Sequence, residues 1–93
     1  MVVKDNDDNI DYLFNKATAI ILKKHREKAN MSLEEVVQRM NSSITRQSLF
    51  KYENNLARIK NSTFIDICIA LKIDPEDTFN EIKDYFLKMI KED

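Results

Sequence analysis

A chain of 93 residues with no glycine and a single proline, Pro75, has little with which to reverse direction sharply. Glycine is the default residue for left-handed backbone, and two-residue hairpins and phosphate-cradling loops depend on it. Strong helix formers and isoleucine dominate instead, so the sequence predicts an all-α chain and argues against strands and nucleotide-binding loops. Length adds a second bound. Chains of this size bury roughly 60 to 70% of their unfolded surface and rarely split into two cores, so residues 1–93 are expected to form one domain.

Cys68 is the sole cysteine and can make neither an internal disulfide nor a paired-cysteine zinc site. A reducing cytoplasm is the expected compartment. The stretch Met1 to Asp11 is acidic where a signal peptide would be basic and then apolar, and the longest apolar run, Ala17 to Leu22, is far below membrane-spanning length. Neither cofactor nor metal is expected, nor is a membrane or small-molecule substrate.

The helices can be placed from periodicity and caps. Ile10, Leu13, Phe14, Ala17, Ile20 and Ile21 recur at helical spacing, predicting a first helix from about Asp8 or Asn9 to Lys28 with a basic end. Asn30 then stands where glycine would close a helix, and Asn41 and Asn55 occupy comparable breaks. Ser32-Leu33-Glu34-Glu35 has the form of a capping box, so a second helix begins at Leu33, with Val36, Val37 and Met40 on its apolar stripe. A break at Asn41-Ser42-Ser43 precedes a third helix over Thr45 to about Asn54. Leu49 and Tyr52 can face inward there, leaving Arg46, Gln47, Ser48, Phe50 and Lys51 largely outside. A fourth helix, about Ser62 to Leu71, carries Phe64, Ile67, Cys68 and Leu71 on one stripe and Ile65 and Ile69 on a second edge, which predicts two packing partners. Asp74-Pro75-Glu76-Asp77 starts a fifth helix reaching about Lys91, striped by Phe79, Ile82, Phe86, Met89 and Ile90.

The formal charge of −1 is unfavourable for a partner made of phosphates, but its distribution is not uniform. Residues 1–15 carry a net −3, residues 16–60 a net +6 and residues 61–93 a net −4. A basic middle is compatible with a DNA-facing surface, and equally with solvated surface charge.

From Leu22 to Phe79 the order of residues resembles the Cro and phage-repressor type of helix-turn-helix domain, also called the xenobiotic-response-element family. The resemblance rests on Arg26, on Ser32-Leu33-Glu34-Glu35, on Ile44-Thr45-Arg46-Gln47-Ser48-Leu49 and Lys51-Tyr52-Glu53, and on Thr63-Phe64 through Leu71. It implies five helices, with a core over about 17–80 and residues 81–93 extending the last one. The segment Met40 to Thr45 is about two residues longer than the family's usual turn. The usual glycines are absent, as is the proline expected near Ile59.

The resemblance makes the third helix the recognition helix of a sequence-specific transcription regulator acting on double-stranded DNA. It implies that Arg46 reads guanine and Gln47 adenine, since their side chains match those base edges bidentately. Thr45, Ser48 and Lys51 become further DNA contacts, and Asn54, Arg58 and Lys60 phosphate contacts, along with the Ser32 and Leu33 amides opening helix two. Phe50 either touches a thymine methyl or, as the preferred expectation, packs under the loop of residues 55–61. Arg26 and Glu53 occupy places where the family forms a partly buried ion pair between helix one and the recognition helix.

His25, without neighbouring ligands, is expected to pack half-buried rather than bind metal, and Cys68 to behave as a small buried hydrophobe. No base is paired with a nucleophile, and no acid pair stands in an apolar setting, so an enzyme is not expected. Apolar residues beyond a minimal module, chiefly Phe86, Met89 and Ile90, either form a homodimer seam for a repressor on a pseudo-palindromic operator or pack within one chain. A helix-turn-helix protein acting mainly by protein–protein binding, of antitoxin or anti-repressor type, is the alternative.

Overall fold

The computed structural model describes the backbone of residues 3–91 and the side chains of residues 10–91. Its five helices are α1 (Val3–Lys28), α2 (Leu33–Arg39), α3 (Arg46–Glu53), α4 (Asn61–Leu71) and α5 (Pro75–Lys91), and no strand occurs among the described residues. Local chemistry sets most of these bounds. The Ser32 hydroxyl accepts from the Glu35 amide at 3.1 Å while the Glu35 carboxylate accepts from the Ser32 amide at 2.8 Å, completing the capping box. At α5, Asp74 Oδ2 accepts from the Asp77 amide at 2.8 Å, and Pro75 takes the first helical position, where its missing N–H costs nothing.

Three starts differ from the sequence expectation, the smallest being α3, which opens at Arg46 with Thr45 as its cap residue. Helix α1 begins at Val3 rather than at Asp8 or Asn9, because no breaker interrupts the segment and acids near a helix N-terminus are favoured by its dipole. Helix α4 begins at Asn61 rather than Ser62, with Lys60 as an extended cap residue whose side chain makes no capping bond.

Three residues adopt the left-handed conformation that glycine would ordinarily take: Asn30 (φ 57°), Asn55 (φ 58°) and Lys72 (φ 60°). The two asparagines fall where the sequence places them. Lys72 was not foreseen; it closes α4 by returning its amide to Ile69 at 3.0 Å, and the Ile73 amide reaches Cys68. Asn41, expected as a third such break, is not left-handed. Helix α2 instead ends by running extended from Met40, which makes room for the longer turn.

The core has two parts. Around the helix-turn-helix segment, Leu22, Val36, Met40, Leu49, Ile67, Cys68, Ala70 and Leu71 are buried together. Between α1 and α5, Ala17, Ile21 and Ile82 form a second cluster, flanked by Phe14, Phe86 and Met89. Phe64 touches both. Phe86 stands edge-on to Phe14, with ring centres 5.1 Å apart, so Phe86 and Met89 are half-buried within the chain while Ile90 is exposed. Ile65 and Ile69 do not supply a second packing edge: both are exposed, and α4 meets α1, α2 and α5 through its other sides.

Lys72 gives the fold's simplest test, since a non-glycine residue in the left-handed region stores about 1–3 kcal/mol. Lys72→Gly is expected to raise stability by about 0.5–1 kcal/mol after the added unfolded-state entropy is subtracted. A shift of the urea midpoint to higher concentration at constant slope checks it.

Candidate nucleic-acid interface

Helix α3 has eight residues, too few to persist without anchors. Leu49 is buried, and Tyr52 packs against the same cluster. At its start the Thr45 hydroxyl accepts from the Ser48 amide at 3.0 Å and lies 3.1 Å from the Ser48 hydroxyl. At its end Glu53 is gripped by Arg26 of α1. Arg26 Nε donates to Glu53 Oε2 at 2.6 Å and Nη2 to Oε1 at 3.0 Å, a bidentate pair, while Nη1 donates to the Met31 carbonyl at 2.8 Å. The two side chains are only 15% and 6% exposed. The hydrogen bond to Glu53 holds the guanidinium pKa above its ordinary value, although burial acts against it. One arginine thus fixes α1, the loop after it and the end of α3 together.

With Leu49, Tyr52 and Glu53 turned inward, steps of 100° leave Arg46, Phe50, Gln47 and Lys51 in that angular order across an arc of about 140°. All four are exposed. Ser48 lies beside the arc, half-buried against Thr45, so the hydroxyls of Thr45 and Ser48 serve the helix cap first. Phe50 does not pack under the following loop as expected; it is 49% exposed at the middle of the arc. The reason is Asn15 of α1, which draws that loop to itself. Its Nδ2 donates to Asn55 Oδ1 and, at 3.0 Å, to the Ala57 carbonyl, while its Oδ1 accepts from the Ile59 amide at 3.0 Å.

The turn between α2 and α3 is held from α4. Asp66, 8% exposed, accepts from the Asn41 amide at 2.9 Å and the Asn41 side chain at 3.3 Å through Oδ1. Its Oδ2 accepts from the Ser42 amide at 2.8 Å and the Ser42 hydroxyl at 2.6 Å. Burial pushes the carboxyl pKa up, but these four donors together bring it below its ordinary 3.8. Because the folded value is depressed, the stabilisation is fully present above about pH 4 and is lost as pH falls through the folded pKa. Sequence reasoning missed both Asn15 and Asp66. The available signals were an asparagine in mid-helix and an acid inside the apolar run Phe64 to Leu71.

The remaining expected positions are scattered around this helix. Asn54 caps α3 and turns its side-chain amide to the Phe50 carbonyl at 2.8 Å. Arg58 is largely exposed and lies 3.4 Å from Asp11, and Lys60 is exposed just before α4. The Ser32 amide and hydroxyl are both engaged by Glu35, so of the α2 opening the Leu33 amide is left among the unbonded first-turn donors.

His25 is half-buried with its Nε2 2.8 Å from Glu81, which also pairs with Lys24. Lys24 first and His25 second hold the Glu81 carboxyl below its usual range. Burial raises the Cys68 thiol to about 11. Among the described residues no group of three or more histidine, cysteine or acidic side chains is placed to hold a metal ion. Among those residues, too, no helix is long and apolar enough to cross a membrane.

Arg26 and Glu53 are buried well enough for their coupling to exceed a surface pair's ~0–1 kcal/mol. A double-mutant cycle with Arg26→Ala and Glu53→Ala is expected to give about 1–3 kcal/mol of coupling by denaturant unfolding. A value under about 0.5 kcal/mol would count the pair among ordinary exposed charges.

Comparison with known proteins gives one finding, a match of residues 22–77 to a helix-turn-helix family model. No curated protein and no solved structure matches the chain. The matched segment runs from the last turns of α1 into the first turn of α5, and so contains Arg26, the capping box, α3 and the Asp66 turn. It covers more than half of the chain, which therefore belongs to the Cro/C1-type helix-turn-helix family of DNA-binding transcription regulators.

Proposed function

We propose that the protein is a sequence-specific repressor that reads a pseudo-palindromic operator with α3. The observation that carries this reading is the exposed arc of Arg46, Phe50, Gln47 and Lys51 on a helix whose other side is locked by Leu49, Tyr52 and the Arg26–Glu53 pair. A helix backbone held in place loses little entropy on binding, and this arc combines the guanine-matching fork of arginine with the adenine-matching amide of glutamine. Phe50, between them, supplies an apolar contact for a thymine methyl. Lys51, Asn54, Arg58, Lys60 and the Leu33 amide meet phosphates, and Thr45 and Ser48 are further DNA contacts at the edge of the arc, with one hydroxyl hydrogen spent between them.

A homodimer gives such an operator its two half-sites. Phe86 and Met89 are partly used against α1, and Phe79 meets Phe14 with ring centres 5.8 Å apart, so the seam is carried by the apolar surface these contacts leave over, where Phe79 is 46% and Ile90 40% exposed. Helical steps put Phe79, Phe86 and Ile90 within about 40° on α5. Sedimentation at tens of micromolar is expected to give a dimer mass, and Phe79→Asp or Ile90→Asp a monomer. A wild-type monomer, or variants of unchanged mass, removes the seam.

Selection of bound sequences from random duplex DNA tests the reading itself, with an enriched two-fold symmetric motif as the expected outcome. Arg46→Ala and Gln47→Ala should each lose about 1–3 kcal/mol against that motif and much less against random DNA. Arg58→Ala and Lys60→Ala should weaken both, and lower the slope of log affinity against log salt by about 1 per half-site. Uniform losses for Arg46 and Gln47 would withdraw the recognition role of α3.

A further inference from the structure

The turn that joins α2 to α3 spans Met40 to Thr45, and its polar backbone has few places to go. Met40 returns its amide to Val36 and Val37, and the Thr45 carbonyl accepts from Leu49. The amides of Asn41 and Ser42, which lie between, both point at Asp66. Ile44 packs against the first core cluster, so the turn is pinned by a carboxylate at one end and by an apolar side chain at the other.

Asp66 lies on α4, which carries none of the side chains of the exposed arc. We propose that Asp66 is a positioning residue for DNA recognition, its buried carboxylate setting the angle between α2 and α3 by holding the lengthened turn. The proposal rests on α3 being the reading helix. A turn of six residues can be traversed in many ways, and each path delivers α3 at a different tilt. Two backbone and two side-chain donors converging on one carboxylate select a single path. Charge-assisted bonds of this kind are about twice as strong as neutral ones, and burial of the carboxylate in a low dielectric strengthens them further. Asparagine at position 66 would place an NH2 group, with two donors, where one carboxylate oxygen now accepts from a backbone amide, so the conservative amide cannot replace the acid.

A role in positioning differs from a role in folding by what it moves. Loss of the carboxylate should leave Leu49, the Arg26–Glu53 pair and the phosphate contacts in place, so α3 stays attached but tilts. Phosphate contacts hold all sequences alike and tolerate a tilt, whereas base contacts do not.

The test uses Asp66→Asn in the full chain, with two measurements. In the free protein, residual dipolar couplings of α2 and α3 give the angle between them, and the variant is expected to keep its helices while that angle changes or becomes heterogeneous. In binding, affinity for the selected duplex is expected to fall about tenfold or more, the equivalent of at least one mismatched base pair, with affinity for random duplex within about twofold. An unchanged angle, or equal losses on the two duplexes, overturns the proposal. If Asp66→Asn does not fold, Asn41→Ala/Ser42→Ala removes the side-chain donors alone, and discrimination should fall severalfold; unchanged discrimination then makes Asp66 a residue of folding only and the proposal fails. If the wild type itself shows no preference among duplexes, the DNA-reading assignment is what has failed, and the interhelix angle alone decides the role of Asp66.

Discussion

An eight-residue helix cannot hold itself in water, and α3 is such a helix. Every property of the exposed arc depends on how its neighbours supply the missing stability. Leu49 gives it a buried knob, Thr45 satisfies one of its first amides, and Arg26 clamps its last carboxylate from α1. The ion pair has a cost in desolvation, since two charges leave water to form it, and a hydrophobic pair could match its stability. What a hydrophobic pair could not do is fix both rotation and translation of the helix end. Two parallel N–H to oxygen bonds, with a third to the Met31 carbonyl, leave Glu53 one orientation.

The lack of glycine shapes the remainder. Where other chains turn on glycine, this one holds left-handed backbone at Asn30, Asn55 and Lys72 and ties two of its loops with side chains that bind backbone. Asparagine serves at positions 30 and 55, Asn15 collects the loop after α3, and Asp66 collects the turn before it. The two loops that flank α3 are therefore each tied by a polar side chain on a different helix, α1 or α4. Loop order is bought with long-range hydrogen bonds rather than with permissive backbone, and the loops consequently report on the packing of the helices behind them.

Much of the fold is legible in the sequence, for a reason that shows where legibility stops. Capping boxes, proline at a first helical position and apolar periodicity act over three or four residues, so Ser32, Glu35, Asp74 and Pro75 announce α2 and α5 directly. The Arg26–Glu53 pair joins residues 27 apart and came only through family resemblance. Asn15 and Asp66 act across 24 to 44 residues, and their partners are chiefly main-chain amides and carbonyls, which leave no trace in residue identity. Phe50 and the pair Ile65 and Ile69 show the converse difficulty: an apolar side chain marks a wish for burial without saying whether the chain grants it.

Cys68 lies at the centre of the first cluster, fully buried, with its thiol raised to about 11. Burial keeps it a neutral thiol rather than the nucleophilic thiolate at neutral pH, and the residue exposes no surface to solvent. The sole native cysteine is therefore chemically silent in the folded chain. A cysteine introduced on the exposed arc of α3 would be the one reactive thiol in the molecule, so a spectroscopic label could be seated on that arc without removing any native residue from the core.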